Sequence, residues 1–535
     1  MNEKTIPWWV ALICLATLAV GISGHEPWTP DEPREAAIAK TIADGGTFLI
    51  PRLGGSPFVE KPPLYYWFSA LMIRTLGVIT GPTAAARAAS ALCAALTLLI
   101  VWSVSRRFWG RYRGTAAALI LATMVGFVQA SHWILIDPLL MLLVSTAVLF
   151  LFRGLDENRP GLILGGYLAG GLAFLTKGFV AWALLLFPWG ALAIIYFSRI
   201  IRRPFLHLAG FILLLGLPGA WMTAFYQQGG AELWREWLID NQIGRFSGHS
   251  AHLGHIKGPF YYLWLAPLIC LPWTPALIGA IAAGGWRSVL NRGGKRNTLL
   301  LLSIAWGLGG LLILSLSGTK REVYAYPLLP AFALMIAAGI DVLPRWSTVC
   351  LQVLCAIFLL VLVVFSFYII DWQEGELARG PGINPPVLLL ALAGVFSFLF
   401  LKRQPVARTA AVAACFYIAA ALAALPVLNK VWSYREMTET LAAAIPEESR
   451  ERVCVWGEDE ATQGVFSYYA GIILPIVEDP ERVSAILRGE DPEFDLIVVP
   501  RLNEFTDANP AGPDFRVVAR ARKGPRRVFY LICGE

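Results

Sequence analysis

Long apolar runs constrain this chain more than any other feature of its sequence. From residue 6 to residue 428, stretches of roughly 20 apolar residues alternate with short polar turns. A helix of that length spans the hydrocarbon core of a bilayer. We find about thirteen such runs, which start near residues 6, 84, 114, 133, 161, 178, 204, 260, 298, 323, 348, 386 and 407. The sequence therefore predicts a polytopic α-helical membrane protein with about 13 transmembrane helices in a domain over residues 1–428.

The amino-acid composition supports this interpretation. Hydrophobic residues make up 57% of the chain and charged residues 15%, whereas charged residues make up about 25% of a typical soluble domain. The net charge is +7, but much of the excess Lys and Arg stands in the short turns, so we expect no nucleic-acid partner. No convincing cleavage site follows the first apolar run, 6–22, and we expect it to be an uncleaved helix.

Basic residues in the short turns set the predicted orientation in the membrane. Such residues are enriched in cytoplasmic loops. Six short turns carry Arg106, Arg107, Arg111 and Arg113; Arg153 and Arg159; Arg199, Arg202 and Arg203; Arg287, Arg292, Lys295 and Arg296; Arg345; and Lys402, Arg403 and Arg408. With these turns inside, the N-terminus lies inside and the C-terminal tail lies outside the cytoplasmic (inner) membrane.

Two long loops fall on the outer side in this arrangement. Residues 23–83 and 227–259 form the first and second long loops. Within the first long loop, 64–79 is apolar but contains Arg74. Counting it as a span would place every basic turn outside, so we expect a juxtamembrane helix near the outer interface.

The tail, 429–535, differs in composition from the rest of the chain and predicts a small extracytoplasmic α/β domain. Its helix-like segments are 434–445 and 460–470, and its strand-like segments are 452–456, 495–499 and 527–532. Cys454 and Cys533 lie in this tail and could pair if it is exported.

The first long loop opens with two adjacent carboxylates, Asp31 and Glu32, followed by Arg34. Pro30 and Pro33 restrict the backbone around them. The group is either a solvated acidic turn that caps a helix or the general base or charge stabiliser of a group-transfer reaction.

Other polar residues stand at the predicted outer ends of the spans. Lys61 precedes an aromatic, interface-seeking segment, at a depth that suits a lipid phosphate but also ordinary snorkelling. Asp137 lies about one turn inside the fourth span, where a charge is costly and points to function. Lys320 and Tyr324 share an outer turn.

The second long loop contains Arg245 and three histidines. The spacing of His249, His252 and His255 suits a metal site only on a helix, and the flanking Ser and Gly favour a loop instead. Nucleotide hydrolysis has no support, because the sequence lacks a Gly-rich phosphate loop of the Walker type.

In combination these residues resemble the membrane glycosyltransferases of the protein O-mannosyltransferase and lipid A aminoarabinose transferase superfamily. The likeness covers roughly residues 5–340. The matching positions are Pro30 to Arg34, Pro51, Phe58, Glu60 to Pro62, Tyr66, Trp67, Asp137, Thr176 to Gly178, Arg245, Phe246, Pro259 to Tyr262, Leu271 to Trp273, Lys320, Tyr324 and Pro327.

The resemblance implies an outer-face cavity for a polyprenyl-phosphate sugar donor. Asp31 would be the main catalytic carboxylate, beside Glu32, and Asp137 would line the sugar site. The donor's lipid phosphate would be bound by Lys61, Arg245, Tyr324, Lys320 and Arg34.

The resemblance also bears on a divalent metal as a cofactor. Glu60 matches a position that ligates a metal in some members of the superfamily. The histidine partner expected in the second long loop is not evident, and Asn241 and Gln242 stand near its place.

The sequence thus favours transfer of a sugar to a glycolipid, such as lipid A, or to a protein, with membrane lipids around the site. A transporter or flippase of lipid-linked sugars is the alternative, although the chain shows no inverted repeat or paired broken helices. An assembly factor would leave Asp31, Lys61 and Asp137 without a role.

Overall fold

A computed structural model describes residues 8–29, 31–248, 256–283, 295–373, 376–457, 459–509, 514–525 and 527–535. Up to Trp432, the α-helices of this part are Trp8–Ala19, Glu32–Ala43, Leu64–Thr80, Pro82–Trp109, Arg111–Ala122, Val125–His132, Asp137–Glu157, Pro160–Lys177, Phe179–Ile195, Phe197–Ile201, Pro204–Arg235, Arg245–Ser247, Tyr261–Ile269, Thr274–Ala282, Lys295–Leu316, Leu329–Gly339, Arg345–Ser366, Pro385–Phe400 and Pro405–Trp432. A π-helix, Glu236–Gly244, and two 3₁₀ helices, Glu322–Leu328 and Ile340–Val342, continue neighbouring helices.

Many of these helices are long and apolar enough to cross a membrane. The described residues contain seven such helices, and nine spans if each of two bent helix pairs counts as one. The pairs bend by 63° between Arg111–Ala122 and Val125–His132, and by 111° between Tyr261–Ile269 and Thr274–Ala282. A helix begins within a few residues of each predicted start. The predicted polytopic helical membrane architecture is confirmed.

The outer surface of the helical bundle is apolar. Large side chains such as Phe205, Ile212, Leu360 and Leu389 are more than half exposed. Exposure of such a surface to water costs free energy, whereas exposure to lipid does not. The apolar face of the helices is therefore suited to hydrocarbon around the bundle.

The first long loop is mostly regular structure. It contains the helix Glu32–Ala43, a short antiparallel ladder of Arg52–Leu53 with Ser56–Pro57, and the helix Leu64–Thr80. Arg74 donates a hydrogen bond of 2.6 Å to the Ala43 carbonyl and so ties the two helices together. The segment predicted to be a helix is one, and its arginine caps a neighbouring helix rather than entering the core.

The second long loop is more helical than predicted. The helix Pro204–Arg235 runs through it, with a break at Gly230 (φ 72°), and a π-helix continues to Gly244. Trp237 packs against Trp221 at 5.2 Å between ring centroids. Burial of these aromatic rings stabilises the helix beyond the bilayer run. The three histidines lie outside the described residues.

The tail contains a five-stranded sheet. Its spatial order is Ile476–Val477, Val453–Trp456, Leu496–Val499, Arg527–Gly534 and Phe515–Lys523, and the last two strands run antiparallel to their neighbours. The helices Arg435–Ala443, Glu460–Val465, Pro480–Leu487 and Leu502–Ala508, the π-helix Phe466–Ala470 and the 3₁₀ turn Glu447–Ser449 complete the described part of the tail. A separate hairpin, Tyr368–Gln373 with Glu376–Pro381, precedes it.

The two cysteines of the tail cannot form a disulfide in this fold. The strand Leu496–Val499 lies between the strands that carry Cys454 and Cys533. Adjacent strands are about 4.8 Å apart, so the two cysteines are separated by roughly 10 Å. A disulfide requires Cα atoms within about 7 Å.

The two ends of the helical bundle carry different residues. At one end Glu157 accepts hydrogen bonds from Arg107 (2.9 Å) and Arg153 (3.0 Å), and Arg113 pairs with Asp341 at 3.0 Å. These residues belong to the basic turns or lie beside them. The long loops and the tail meet at the opposite end, where the candidate site lies.

Candidate active site

Asp31 lies directly before the helix Glu32–Ala43 and is 5% exposed. Its carboxylate accepts two hydrogen bonds from the Arg321 guanidinium, at 2.8 Å and 2.5 Å, and one from Arg34 at 2.9 Å. Arg34 follows three residues later on the same helix, so one helical turn brings it back to Asp31. Arg321 comes from the turn before the helix that starts at Glu322.

The two arginines keep this carboxyl group ionised. Burial raises the pKa of Asp31, but the charge of Arg34 and the hydrogen bonds from Arg321 outweigh burial, and the pKa lies well below its ordinary value. A carboxylate held in this way stays negative at any physiological pH. It is a weak proton acceptor as long as both arginines contact it.

A cavity of 740 Å³ opens beside Asp31. Six residues predicted from the sequence line it: Asp31, Arg34, Glu60, Lys61, Arg245 and Tyr324. The remaining lining residues are Thr29, Leu53, Ser56, Pro57, Phe58, Val59, Glu236, Asn241, Arg321, Asp459, Glu460, Ala461, Gln463, Ile476 and Arg527. The structure therefore brings together residues from both long loops, the turn at 321–324 and the tail.

The two long loops contribute a compact set of ion pairs to the cavity. Arg245 donates to Glu60, and the Lys61 ammonium lies 3.8 Å from Glu60 and 3.4 Å from Glu35. Burial raises the pKa of Glu60, but Arg34, Lys61 and Arg245 together lower it to about 2. Glu60 is thus a carboxylate that neutralises cations.

Asp137 does not line the cavity but is coupled to it. Its carboxylate lies 2.6 Å from the Lys177 ammonium, and that ammonium lies 4.1 Å from the centre of the Tyr324 ring. Tyr324 itself lines the cavity. The costly carboxylate near the end of a span is therefore neutralised by a lysine that supports a cavity residue.

Glu32 has surroundings unlike those of its neighbour. It is fully buried, and Arg87 donates to both of its oxygens at 2.9 Å and 3.0 Å. The backbone N–H groups of Trp28 and Ile134 donate to the same carboxylate. Glu32 thus joins three chain segments away from the cavity. This placement does not fit the predicted catalytic role.

Lys320 likewise points away from the cavity. Its ammonium donates to the carbonyl oxygens of Ser317 and Lys257, and burial lowers its pKa. The next residue, Arg321, faces Asp31 instead. Lys320 and not Arg321 was predicted for the phosphate from the sequence, and only the backbone conformation of the turn decides which of the two side chains faces the cavity.

The tail forms one wall of the cavity. Glu460 accepts a hydrogen bond of 2.6 Å from Arg34. A Cβ atom on Gly464 would lie 2.7 Å from the Pro33 carbonyl oxygen, so the tail helix packs directly on the backbone of the first long loop. No local pattern could reveal these partners, since 426 residues separate Arg34 from Glu460.

The described residues around Glu60 do not fit a metal ion. Arg245 and Lys61 already neutralise this carboxylate, and a divalent cation would be repelled by both. Nowhere in the described ranges do three or more His, Cys, Asp or Glu side chains form a group that could bind a metal. We derive no step through a metal.

Several known proteins are similar to this chain in sequence. Residues 60–221 match the family model described as dolichyl-phosphate-mannose-protein mannosyltransferase. The undecaprenyl phosphate-alpha-4-amino-4-deoxy-L-arabinose arabinosyl transferase of Pseudomonas aeruginosa is 31% identical over 330 residues, which are 59% of this chain and 56% of the relative. The transferase of the same name from Aeromonas hydrophila is 26% identical over 421 residues, 75% of this chain and 73% of the relative. In the Pseudomonas match, the chain thus spans little more than half of the curated relative.

Solved structures show the same fold. ArnT from Cupriavidus metallidurans bound to undecaprenyl phosphate has a TM-score of 0.74 and 20% identity over 98% of both chains. The same protein in the apo state has a TM-score of 0.75. Together with the family match, these likenesses confirm the predicted resemblance to this superfamily.

Proposed function

We propose that this protein is a glycosyltransferase that moves a sugar from a polyprenyl-phosphate donor to a lipid A-like glycolipid or to a protein, at the outer face of the cytoplasmic membrane. One observation carries the proposal. A cavity of 740 Å³ has a buried, ionised carboxylate, Asp31, beside a set of cationic side chains. The names of the relatives, which specify an undecaprenyl phosphate-linked aminoarabinose, support the same class of donor.

The cationic side chains suit the leaving group of such a donor. A polyprenyl phosphate carries negative charge that grows as the sugar departs, and preorganised donors stabilise that charge. Lys61, Arg245 and Tyr324 line the same cavity and can reach one phosphate, with Arg34 behind them. No nucleotide is required, because the donor supplies its own leaving group.

Asp31 is the proposed catalytic carboxylate. The acceptor oxygen forms a bond to the anomeric carbon, the bond from that carbon to the phosphate oxygen breaks, and its electron pair leaves with the polyprenyl phosphate. The hydroxyl proton of the acceptor passes to Asp31, or it passes to the departing phosphate while the Asp31 carboxylate stabilises an oxocarbenium-like centre. Asp137 acts indirectly, because it neutralises Lys177, whose ammonium contacts the ring of Tyr324.

The proposed topology has thirteen spans over 1–428 and an exported domain over 429–535. The segregation of the ends supports it, because the turns with Arg107, Arg113 and Arg153 lie at the end opposite to the cavity. With basic turns inside, the cavity and the tail face outward, and the helix Leu64–Thr80 lies at the outer interface.

Radiolabelled donor and purified protein in lipid vesicles test the proposal. We expect wild-type protein to move the label onto lipid A or a protein acceptor. Asp31→Asn keeps the shape of the side chain but removes its charge, so transfer should fall about 10²- to 10⁴-fold while the protein still folds and inserts. Near-normal turnover in this variant would leave Asp31 as a structural ion-pair partner of Arg34 and Arg321. Movement of intact donor across the bilayer without transfer would indicate a transporter instead.

A further inference from the structure

Each cation that lines the described part of the cavity already has a carboxylate partner. The pairs are Arg34 with Asp31, Glu35 and Glu460; Lys61 with Glu35 and Glu60; Arg245 with Glu60; Arg321 with Asp31; and Arg527 with Asp459. A polyprenyl phosphate that enters this cavity therefore meets no unpaired positive charge. It gains charge-assisted hydrogen bonds either from N–H donors that these carboxylates leave free, such as Arg245 Nε, or by displacing a carboxylate from one of the cations.

Of the two arginines that contact Asp31, Arg321 is the one from which this carboxylate is more readily displaced. Its side chain is 21% exposed, whereas that of Arg34, the other arginine on Asp31, is 7% exposed and has three carboxylate partners. Arg321 contacts Asp31 with two parallel N–H···O bonds. Phosphate oxygens accept the same fork. A phosphate can thus take over these donors without any change in their geometry.

We infer that Arg321 is a positioning residue that holds Asp31 in an ion pair until the phosphate of the donor replaces that carboxylate on the guanidinium. This inference rests on the proposed function. Asp31 then keeps its hydrogen bond from Arg34, and Lys61 remains a further cation nearby. The carboxylates Glu35, Glu60 and Glu460 remain around Asp31 and Arg34. Loss of two hydrogen bonds from Arg321 raises the pKa of Asp31 toward its ordinary range, where a carboxylate is a better base. The donor would thereby activate the residue that accepts the proton.

The binding of a sugar-free, short-chain polyprenyl phosphate tests this exchange, because no turnover can occur. If Asp31 competes with phosphate for Arg321, Asp31→Asn should bind the lipid about tenfold more tightly than wild type, in line with one or two charge-assisted hydrogen bonds. The same variant should lose transfer. A pair that only stabilises the fold would give unchanged or weaker binding.

A double-mutant cycle separates competition at Arg321 from general electrostatics. In an Arg321→Gln background, Asp31→Asn should produce little further change in lipid affinity, whereas a tenfold gain that persists there would overturn the inference. Arg321→Lys keeps the charge without the fork and should bind the lipid with intermediate affinity. If Arg321→Gln unfolds, equal lipid affinities for Arg321→Lys and wild type would equally contradict the inference.

Two carboxylate variants serve as matched controls. Glu460→Gln removes a carboxylate from Arg34 and should change lipid affinity less than Asp31→Asn. Glu439→Gln lies on the tail outside the cavity and should not change lipid affinity. A wild-type protein that binds no polyprenyl phosphate would contradict the proposed function as well, whereas binding that is equal in wild type and Asp31→Asn would contradict only the exchange.

Discussion

Two adjacent acidic residues, Asp31 and Glu32, have different environments in this structure. Asp31 faces a cavity and is held by side chains that a ligand can reach. Glu32 is sealed in the core with Arg87 and two backbone N–H groups. Their adjacency in the sequence suggested a shared role. The first turn of the helix separates them, because successive side chains there point in different directions.

Glu32→Gln should therefore destabilise the protein rather than remove one catalytic group. Arg87 would be left buried without a counter-charge, at a cost of about 3–5 kcal/mol. Thermal unfolding in detergent measures this loss, with the exposed Glu439→Gln as the control. A Glu32→Gln protein with normal stability and abolished transfer would instead restore the catalytic assignment made from the sequence.

Lys61→Ala should weaken binding of a short-chain polyprenyl phosphate roughly tenfold or more, because it removes a charge-assisted hydrogen bond. Removing Arg245 or Tyr324 should weaken it further in steps. Titration of the lipid into detergent-solubilised protein measures these affinities. Equal affinity of wild type and Lys61→Ala, combined with a small loss of stability, would make Lys61 a snorkelling anchor.

The residue types in the loops predicted several of the residues that line the cavity. They did not predict in which direction each side chain points. Lys61, Arg245 and Tyr324 come from three distant segments and line one cavity. Lys320 and Arg321 carry the same charge in the same turn, and no periodic pattern distinguishes them. Which of them faces Asp31 depends on backbone angles that composition does not encode.

The close approach of two helices joins the tail to the first long loop. The helix Glu460–Val465 carries Gly464, where a Cβ atom would lie 2.7 Å from the carbonyl oxygen of Pro33. Backbone atoms on the other side cannot yield as a flexible side chain can. The absence of a side chain at this position thus permits the helices to meet and Glu460 to reach Arg34.

Gly464→Ala should separate these helices. We expect a destabilisation of about 1–3 kcal/mol from overpacking and a reduced rate of sugar transfer, because the tail wall of the cavity shifts. Thermal unfolding and the radiolabel assay measure the two effects.

Gly190→Ala is the matched control. Gly190 lies inside a different helix, Phe179–Ile195, and a Cβ atom there would meet nothing within 4 Å. It should keep full transfer activity and lose no stability. Equal behaviour of the two variants would show that the tail helix does not depend on this contact.

The sequence predicted the helices and strands whose positions are determined by hydrophobicity. The apolar runs located the bundle helices, since a backbone in lipid must satisfy its hydrogen bonds within a helix. The helix through Gln227 and the π-helix after it escaped prediction, because aromatic packing around Trp237 stabilises them rather than a bilayer. The short strand Ile476–Val477 has too few residues for an alternating pattern to be visible.

For the whole molecule, we predict that the cavity and the tail lie on the outer side of the membrane. A reporter that is active only outside the cytoplasm, fused after Val427, should be active. The same reporter fused in the turn after Arg107 should be inactive, because that turn lies at the opposite end of the bundle. An inactive reporter at Val427 together with an active one after Arg107 would invert the topology and place the cavity on the side opposite to the proposed one.

The contact between Arg34 and Glu460 also has a consequence for the timing of biosynthesis. The two residues are 426 positions apart, so at about 5–20 residues per second a ribosome makes the second roughly 20–85 seconds after the first. During that interval the bundle is being inserted, yet Arg34 has no tail partner and the cavity lacks one wall. A nascent chain is therefore in the membrane before its cavity is complete. Only docking of the tail on the first long loop closes that wall.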